Sequence, residues 1–259
     1  MTSPPFPLVQ KKKYGNVNAD KYVDWFFEFV PNFQRVLTKR GSLVIHLGSG
    51  WNKGAPTKTL CSFKLLLALS QDFHLAQEFY WFNPAKIPSP AEWANVRRVR
   101  VKDAVDPIWW LSKASFPKAS NRRVLRPYTP SMLKLLENGY RPGLRPSGHN
   151  VSNKFSKRNK GAIPPNLLVF SNTDSRDPYL VHCKKNGIPP NPARYPAGIP
   201  DFFIRFLTTP GDAVLDPFGG SNTTGFAAEK LRRKWITFEK NLTYLRASKS
   251  RFVNLLTNS

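Results

Sequence analysis

Cysteine is nearly absent from this 259-residue chain: Cys61 and Cys183 stand apart, and neither belongs to a CxxC pair. That argues against a disulfide framework and a cysteine-based zinc site, and no metal site is expected. Long apolar runs are missing too. The longest, residues 65–69, falls far short of a membrane span. The start, Met1-Thr2-Ser3-Pro4-Pro5, has no basic-then-apolar signal segment. A soluble cytoplasmic protein without a membrane partner is therefore expected. Acidic residues are scarce, with 16 Asp and Glu against 40 Lys and Arg and a net charge of +24. A polyanion partner suits that excess, because cations that neutralise phosphates release condensed counterions. An ordinary basic protein has the same balance, and charge alone does not separate the two. The charge runs along the whole chain, densest at 97–102, 118–126 and 154–160, so a basic face on a folded protein is expected rather than a basic tail.

Apolar residues make up 41%, enough for a sizeable core. Tyr22, Phe26, Phe29, Val30 and Phe33 recur at helical spacing and predict a helix over 20–37. An apolar run at 43–47 ends in Gly48-Ser49-Gly50, the pattern of a buried strand entering a tight turn. A helix over 60–70 and strands at 77–82 and 107–111 follow. Residues 113–190 turn rich in Pro, Lys, Arg, Asn and Ser and read as a separate loop-rich lobe. Regular texture returns with a helix at 200–208, a strand at 212–216, a helix at 222–233, a strand at 235–239 and a helix at 244–256. The alternation predicts an α/β fold with a largely parallel sheet, its halves 1–112 and 191–259 flanking the lobe 113–190.

The strongest local pattern is an apolar strand running through Asp216-Pro217-Phe218-Gly219-Gly220-Ser221-Asn222-Thr223 into a helix. Glycines let the backbone pass close to a ligand, and the helix start presents free N–H groups. The strict GxGxxG spacing is absent, and Asp216 would repel a pyrophosphate. A cationic ligand without phosphate, such as S-adenosylmethionine, suits Asp216 better. Glu239 ends the next strand, 19 positions after Gly220, where a carboxylate can accept both ribose hydroxyls. A glycine turn with a capped helix and no ligand is the alternative for either half of this pattern alone.

Asp216 to Ser221 resembles the cofactor motif of DNA amino-methyltransferases, and Ser3-Pro4-Pro5-Phe6 resembles their catalytic motif. In that family a leading Ser marks N4-cytosine enzymes, whereas Asp or Asn is more usual in N6-adenine enzymes. The order, catalytic motif first and cofactor motif near the end, resembles the permuted β-class of type II restriction–modification systems. The similarity spans nearly the whole chain, including Trp81-Phe82-Asn83-Pro84, Arg145-Pro146-Ser147-Gly148-His149 and Pro192-Ala193-Arg194-Tyr195-Pro196.

The resemblance implies a Rossmann-like methyltransferase fold with a target-recognition lobe, S-adenosylmethionine as cofactor and duplex DNA as substrate. A cognate restriction endonuclease would be the functional partner, and the chain would act as a monomer or dimer. An aromatic amine is a poor nucleophile because its lone pair is delocalised into the ring. Ser3 Oγ and the Pro4 carbonyl can localise that pair by accepting the amine hydrogens. The Pro4-Pro5 step stiffens the loop, and Phe6 stacks on a flipped base. His46 either lines the base pocket, accepts a proton, or is a neutral histidine satisfied at a strand end. Asp216 to Thr223 with Glu239 would hold the cofactor, and Arg194-Tyr195-Pro196 would wrap its methionine end, although Asn191 stands where the family often has His. Cytosine C5 chemistry needs a cysteine after proline, and Leu60 and His182 precede the two cysteines here. Candidate DNA contacts are Lys53, Arg98 and Arg100, together with Arg122, Arg123, Arg126, Arg145, His149, Lys154, Lys157 and Arg158 in the lobe. Alternatives are an N6-adenine enzyme, an inactive DNA-binding remnant and an RNA methyltransferase. In the family the catalytic loop hangs from a central strand. Only Met1 and Thr2 precede it here, so an apparently missing strand, an incomplete amino terminus and poor folding of this chain alone are expected.

Overall fold

The computed structural model describes residues 1–10, 12, 15–139, 143–148, 150–151 and 157–253. Strands are β1 (Ser42–His46), β2 (His74–Phe82), β3 (Val105–Ser112), β4 (Gly143–Leu144), β5 (Asn150–Val151), β6 (Leu167–Val169), β7 (Ala213–Asp216) and β8 (Lys234–Thr237). Helices are α1 (Tyr22–Phe27), α2 (Val30–Val36), α3 (Cys61–Leu69), α4 (Pro130–Asn138), α5 (Pro178–Lys185), α6 (Gly198–Leu207), α7 (Thr223–Lys230) and α8 (Leu242–Ser248). The chain forms two compact units, one of residues 1–119 and 166–259, the other of residues 120–165.

The first unit carries the mixed sheet β1-β3-β2-β6 and the parallel pair β7-β8. β3 runs antiparallel to both β1 and β2, and only β6 joins β2 in parallel. The expected largely parallel sheet is therefore corrected to a mixed one. β3 is buried on both faces over Ile108–Ser112, whereas β2 buries only Phe79 and Trp81 on one face, and neither pattern carries strand direction. Strand alternation sorts the side chains by face. Leu43, Ile45, Trp109 and Leu111 join Tyr22, Phe26, Phe33, Leu65 and Leu69 in one core beneath α1, α2 and α3. On the opposite face Phe79 and Trp110 meet Phe203 and Phe206 of α6, with ring centroids 5.0 Å apart for Phe79–Phe203 and Trp110–Phe206. Burying each such side chain contributes about 1.5–3 kcal/mol. β7 and β8 pack on α6 and α7 through Ile204, Val214, Ala227, Ala228 and Leu231.

Between β1 and β7 no strand is assigned among the described residues. Met1 and Thr2 occupy that position. Thr2 bridges Ile45 in parallel. Its N–H donates to the Val44 carbonyl at 2.9 Å, and its carbonyl accepts the His46 N–H at 3.0 Å. On the other side the Met1 ammonium donates to the Leu215 carbonyl at 2.9 Å. Two residues thus tie β1 to β7.

Other differences are local. The helix expected over 20–37 is two helices, because Pro31 opens a new helix at α2 and its ring does not fit a helix interior. Residues 113–119 and 166–190, grouped with the recognition lobe on composition, fold in the first unit, where β6 pairs with β2 and Asp177 caps α5. The second unit holds α4, capped by Thr129, and the short β4-β5 hairpin. No helix among the described residues is long and apolar enough to cross a membrane.

Candidate active site

Thr2 ends its parallel bridge beside Ile45, so the following loop leaves at the carboxyl end of β1. Ser3 Oγ lies 3.0 Å from His46 Nδ1. Pro4 is buried, and the Pro5 carbonyl accepts the Tyr22 hydroxyl at 2.8 Å, which anchors the loop to α1. Phe6 packs edge-on to His46, with centroids 5.2 Å apart. Gly48 and Gly50 are where this loop crosses the end of β1. A Cβ on Gly48 would reach 2.5 Å from the Phe6 ring, and one on Gly50 would reach 2.2 Å from the Pro7 carbonyl oxygen. A flexible ring can shift but backbone cannot, so Gly50→Ala is expected to displace the loop and cost about 1–3 kcal/mol. Gly48→Ala should be milder. Urea unfolding of both variants checks the ranking.

His46 is buried and faces the same side of the sheet as Trp81, with Tyr195 beyond it at 6.1 Å between ring centroids. Its Nε2 points toward Asp106 Oδ2 at 3.9 Å. Lys86 Nζ pairs with that oxygen at 3.2 Å. Burial alone would raise the Asp106 carboxyl, but the neighbouring His46 and the hydrogen-bonded Lys86 ammonium outweigh it and hold the group at about 2, against an ordinary 3.8. A depressed carboxyl stabilises the fold above its unfolded value and loses that contribution as pH falls from about 4 toward about 2. The amount is about 2 kcal/mol. Urea midpoints of wild type and Asp106→Asn should differ at pH 6 and converge near pH 2.

Beside this loop lies the glycine turn after β7. Asp216 is 2% exposed. It accepts from Thr2 Oγ1 at 2.8 Å, the Phe218 N–H at 3.1 Å and Thr224 Oγ1 at 2.6 Å. The Tyr195 hydroxyl contacts Asp216 and Thr224. Burial and then the Asp216 charge push the Tyr195 phenol well above its usual range, so it stays a donor. Phe218 packs on Trp25 and Phe29 of the α1–α2 region. Gly219 backs onto β8, its N–H bonded to the Phe238 carbonyl at 2.8 Å. Gly220 has φ +54 and donates to Glu239 Oε2 at 2.8 Å. Glu239 Oε1 accepts the Asn241 N–H at 2.8 Å. Asn222, also left-handed with φ 54, caps α7 through the Gly225 N–H. Ser221 and Thr223 are buried against Arg251. Asn191 sits under Gly220, and Arg194 donates to the Asn191 carbonyl. Arg194, Tyr195 and Pro196 line one side of a cavity of about 230 Å³ with Ser171, Asn172 and Asp177. The proline loop and the glycine turn therefore stand side by side at the carboxyl ends of β1 and β7, joined by the Thr2–Asp216 bond.

A family model described as DNA methylase matches residues 1–250. The chain belongs to the DNA methylase family. It is 50% identical over 259 residues to the type II methyltransferase M.PvuII of Proteus hauseri, covering 98% of this chain and 77% of that one. It is 26% identical over 231 residues to the DNA adenine methyltransferase YhdJ of Escherichia coli, covering 88% and 65%. A solved structure titled PvuII DNA methyltransferase (cytosine-N4-specific) superposes with a TM-score of 0.78 at 44% identity, covering 98% of this chain and 78% of that one. The M1.HpyAVI–SAM complex shares the fold, with a TM-score of 0.55 at 20% identity over 97% of this chain and 86% of that one.

In this DNA methylase the basic candidates divide. Lys53, Arg98, Arg122, Arg126, Lys157 and Arg158 are exposed, as is Arg145, and Arg123 is half-buried. Arg126 pairs its backbone with Ala162. Arg100 is committed internally: it stacks 4.3 Å from the Trp51 centroid, donates to the Pro56 carbonyl and lies 3.8 Å from Asp103. His149 and Lys154 fall outside the described residues. Both cysteine thiols are buried and raised by that burial, Cys61 to about 11, which suits core packing rather than nucleophilic attack. Sequence reasoning passed over Thr2, Tyr22, Lys86, Asp106, Tyr179 and Arg251. None carries a signal of its own in the sequence: Asp106 comes beside His46 only because β3 pairs with β1.

Proposed function

We propose that this DNA methylase transfers a methyl group from S-adenosylmethionine to the N4 amine of a cytosine flipped out of duplex DNA. The observation that carries the reading is the contact of Ser3 with His46 directly beside the Asp216–Gly220 turn. The donor set fits the cofactor. Glu239 uses one lone pair of each oxygen on backbone N–H groups and keeps others for ribose hydroxyls. Asp216 ends β7 and Glu239 stands two residues after β8, acidic groups that suit a cationic ligand without phosphate. Glu239, Phe218 and the Gly219–Gly220 backbone would hold the nucleoside, and Arg194, Tyr195 and Pro196 the methionine end. When bound, S-adenosylmethionine supplies a methyl group activated by its sulfonium.

The chain's own residues prepare the amine. Ser3 Oγ and the Pro4 carbonyl accept its hydrogens and gather the lone pair on nitrogen. Phe6, Trp81 and His46 wall the base pocket and exclude water. As the amine gives up a proton to Ser3 Oγ, the Ser3 proton passes to His46 Nδ1, so Ser3 is left as it began. Positioning carries much of the rate. Exposed Lys53 and Arg98, with Arg122, Arg126, Lys157 and Arg158 of the smaller unit, would meet the DNA phosphates. The chain would protect a recognition sequence from a cognate endonuclease in a bacterial cytoplasm, without forming a stable complex with it.

The test is single-molecule sequencing of DNA from a host expressing the chain, beside transfer of tritiated methyl groups by the purified protein. N4-methylcytosine confined to one sequence is expected. N6-methyladenine at that site, or DNA binding with no transfer, would overturn the reading.

A further inference from the structure

His46 sits at the centre of an arrangement that methyl transfer alone does not explain. It is 4% exposed, with Phe6, Trp81 and Tyr195 around the ring. Its two nitrogens face different groups. Nδ1 meets Ser3 Oγ at 3.0 Å, whereas Nε2 has no hydrogen-bond partner among the described residues and looks at Asp106 Oδ2 across 3.9 Å. That gap is too long for a hydrogen bond but short enough for an electrostatic preference at an imidazole this deeply buried. A bare Nε2 lone pair would face a carboxylate oxygen and be repelled, while an Nε2–H is attracted. The proton on one imidazole nitrogen decides what the other can do. Asp106 is itself fixed by Lys86 on the same oxygen at 3.2 Å, and the Asp106–Lys86 pair adds no net charge beside the pocket.

We propose that Asp106, clamped by Lys86, is a positioning residue acting through His46: it keeps the proton on Nε2 and leaves Nδ1 as the acceptor of the Ser3 hydroxyl. The inference rests on the methyl-transfer reading for its consequence, though not for its geometry. With its own hydrogen committed to Nδ1, Ser3 Oγ presents only lone pairs to the base. It then accepts from an exocyclic amine and meets a carbonyl oxygen at the same ring position with repulsion, so the pocket prefers cytosine to uracil. In the opposite tautomer Nδ1–H would donate to Ser3, freeing the hydroxyl to donate to the amine lone pair and quench it.

Two-bond proton–nitrogen spectra of the full chain labelled with nitrogen-15 histidine test this. The chain has four histidines, and the His46 signal is identified by its loss in His46→Gln. The expected result is an Nε2–H tautomer for His46 in the wild type and a mixture or the Nδ1–H tautomer in Asp106→Leu, the other ring signals unmoved. In the methylation assay kcat of Asp106→Leu should fall at least about tenfold with KM for S-adenosylmethionine unchanged. Should Asp106→Leu fail to fold, Asp106→Asn is read in the same spectra and should show a partial loss of the Nε2–H form. An Nδ1–H tautomer in the wild type, or an unchanged tautomer in a folded variant, would overturn the proposal. A chain that proves not to methylate cytosine leaves the tautomer result readable, so the two readings fail separately.

Discussion

Replacing Ser3 by alanine should lower kcat for DNA methylation by about 10²-fold, the scale set by losing one group aimed at the reacting atom. Cofactor affinity should hold, because Ser3 faces His46 while the glycine turn proposed to hold the cofactor is organised by Asp216, Glu239 and Arg251. The loop itself should stay in place. Pro5 remains tied to Tyr22, Thr2 to Val44 and Asp216, and Phe6 still rests on Gly48. The stability cost is therefore small, about 1 kcal/mol for the partner lost by a buried His46 Nδ1. Single-turnover transfer of tritiated methyl groups reads the chemical step, and calorimetric titration reads cofactor binding. A loss of both in equal measure would mean that Ser3 only holds the loop. A variant with wild-type kcat would remove Ser3 from the chemistry.

The two candidate segments are legible in sequence because their signals are local. A strand, a glycine turn, a helix and an acidic residue after the next strand occupy one stretch of sequence, and the structure assembles them with Glu239 on the Gly220 N–H. Ser3-Pro4-Pro5-Phe6 was equally readable as a motif. What sequence could not supply was the pairing across the chain. Strand direction is not readable in β2 and β3, because periodicity carries no sign of parallel or antiparallel. Composition groups 166–190 with the polar lobe, yet this stretch holds β6 and α5 in the first unit. Asp106 and Lys86 lie far in sequence from Ser3 and meet it only through His46. Thr2 reaches β1 with its backbone and Asp216 with its hydroxyl, a double use that a two-residue segment does not advertise.

Arg251 shows the same limit most sharply, and its replacement by alanine should be among the most destabilising single changes in the chain. The side chain is 2% exposed and joins three distant segments. Nη1 donates to Asp177 Oδ2 at 2.8 Å, Nε to the Ser221 carbonyl at 2.7 Å, and Nη2 to Ser221 Oγ at 3.3 Å. The guanidinium lies 5.3 Å from the Tyr179 centroid and 5.8 Å from that of Phe226. Truncating it strands the Ser221 carbonyl and leaves Asp177 without its cation. Removing one partner of a buried pair costs about 3–5 kcal/mol. Asp177 tempers this toward the lower end, because its side chain is 21% exposed and still caps α5 through Tyr179 and Leu180. Against a typical margin of about 5–15 kcal/mol, even the low figure is a large share. Function should fall beyond the stability loss, since Ser221 and Thr223 lead into the helix behind the turn proposed to hold the cofactor. Arg251→Lys separates the two effects. A lysine keeps the charge and can satisfy Asp177 or Ser221 but not both, lacking the planar fork. It should recover part of the urea midpoint while S-adenosylmethionine still binds weakly. If Arg251→Ala unfolds at the wild-type midpoint, the guanidinium is not the link between α5, the turn and the segment after α8. If the lysine variant binds cofactor as tightly as wild type, Ser221 is held by its own turn rather than by Arg251.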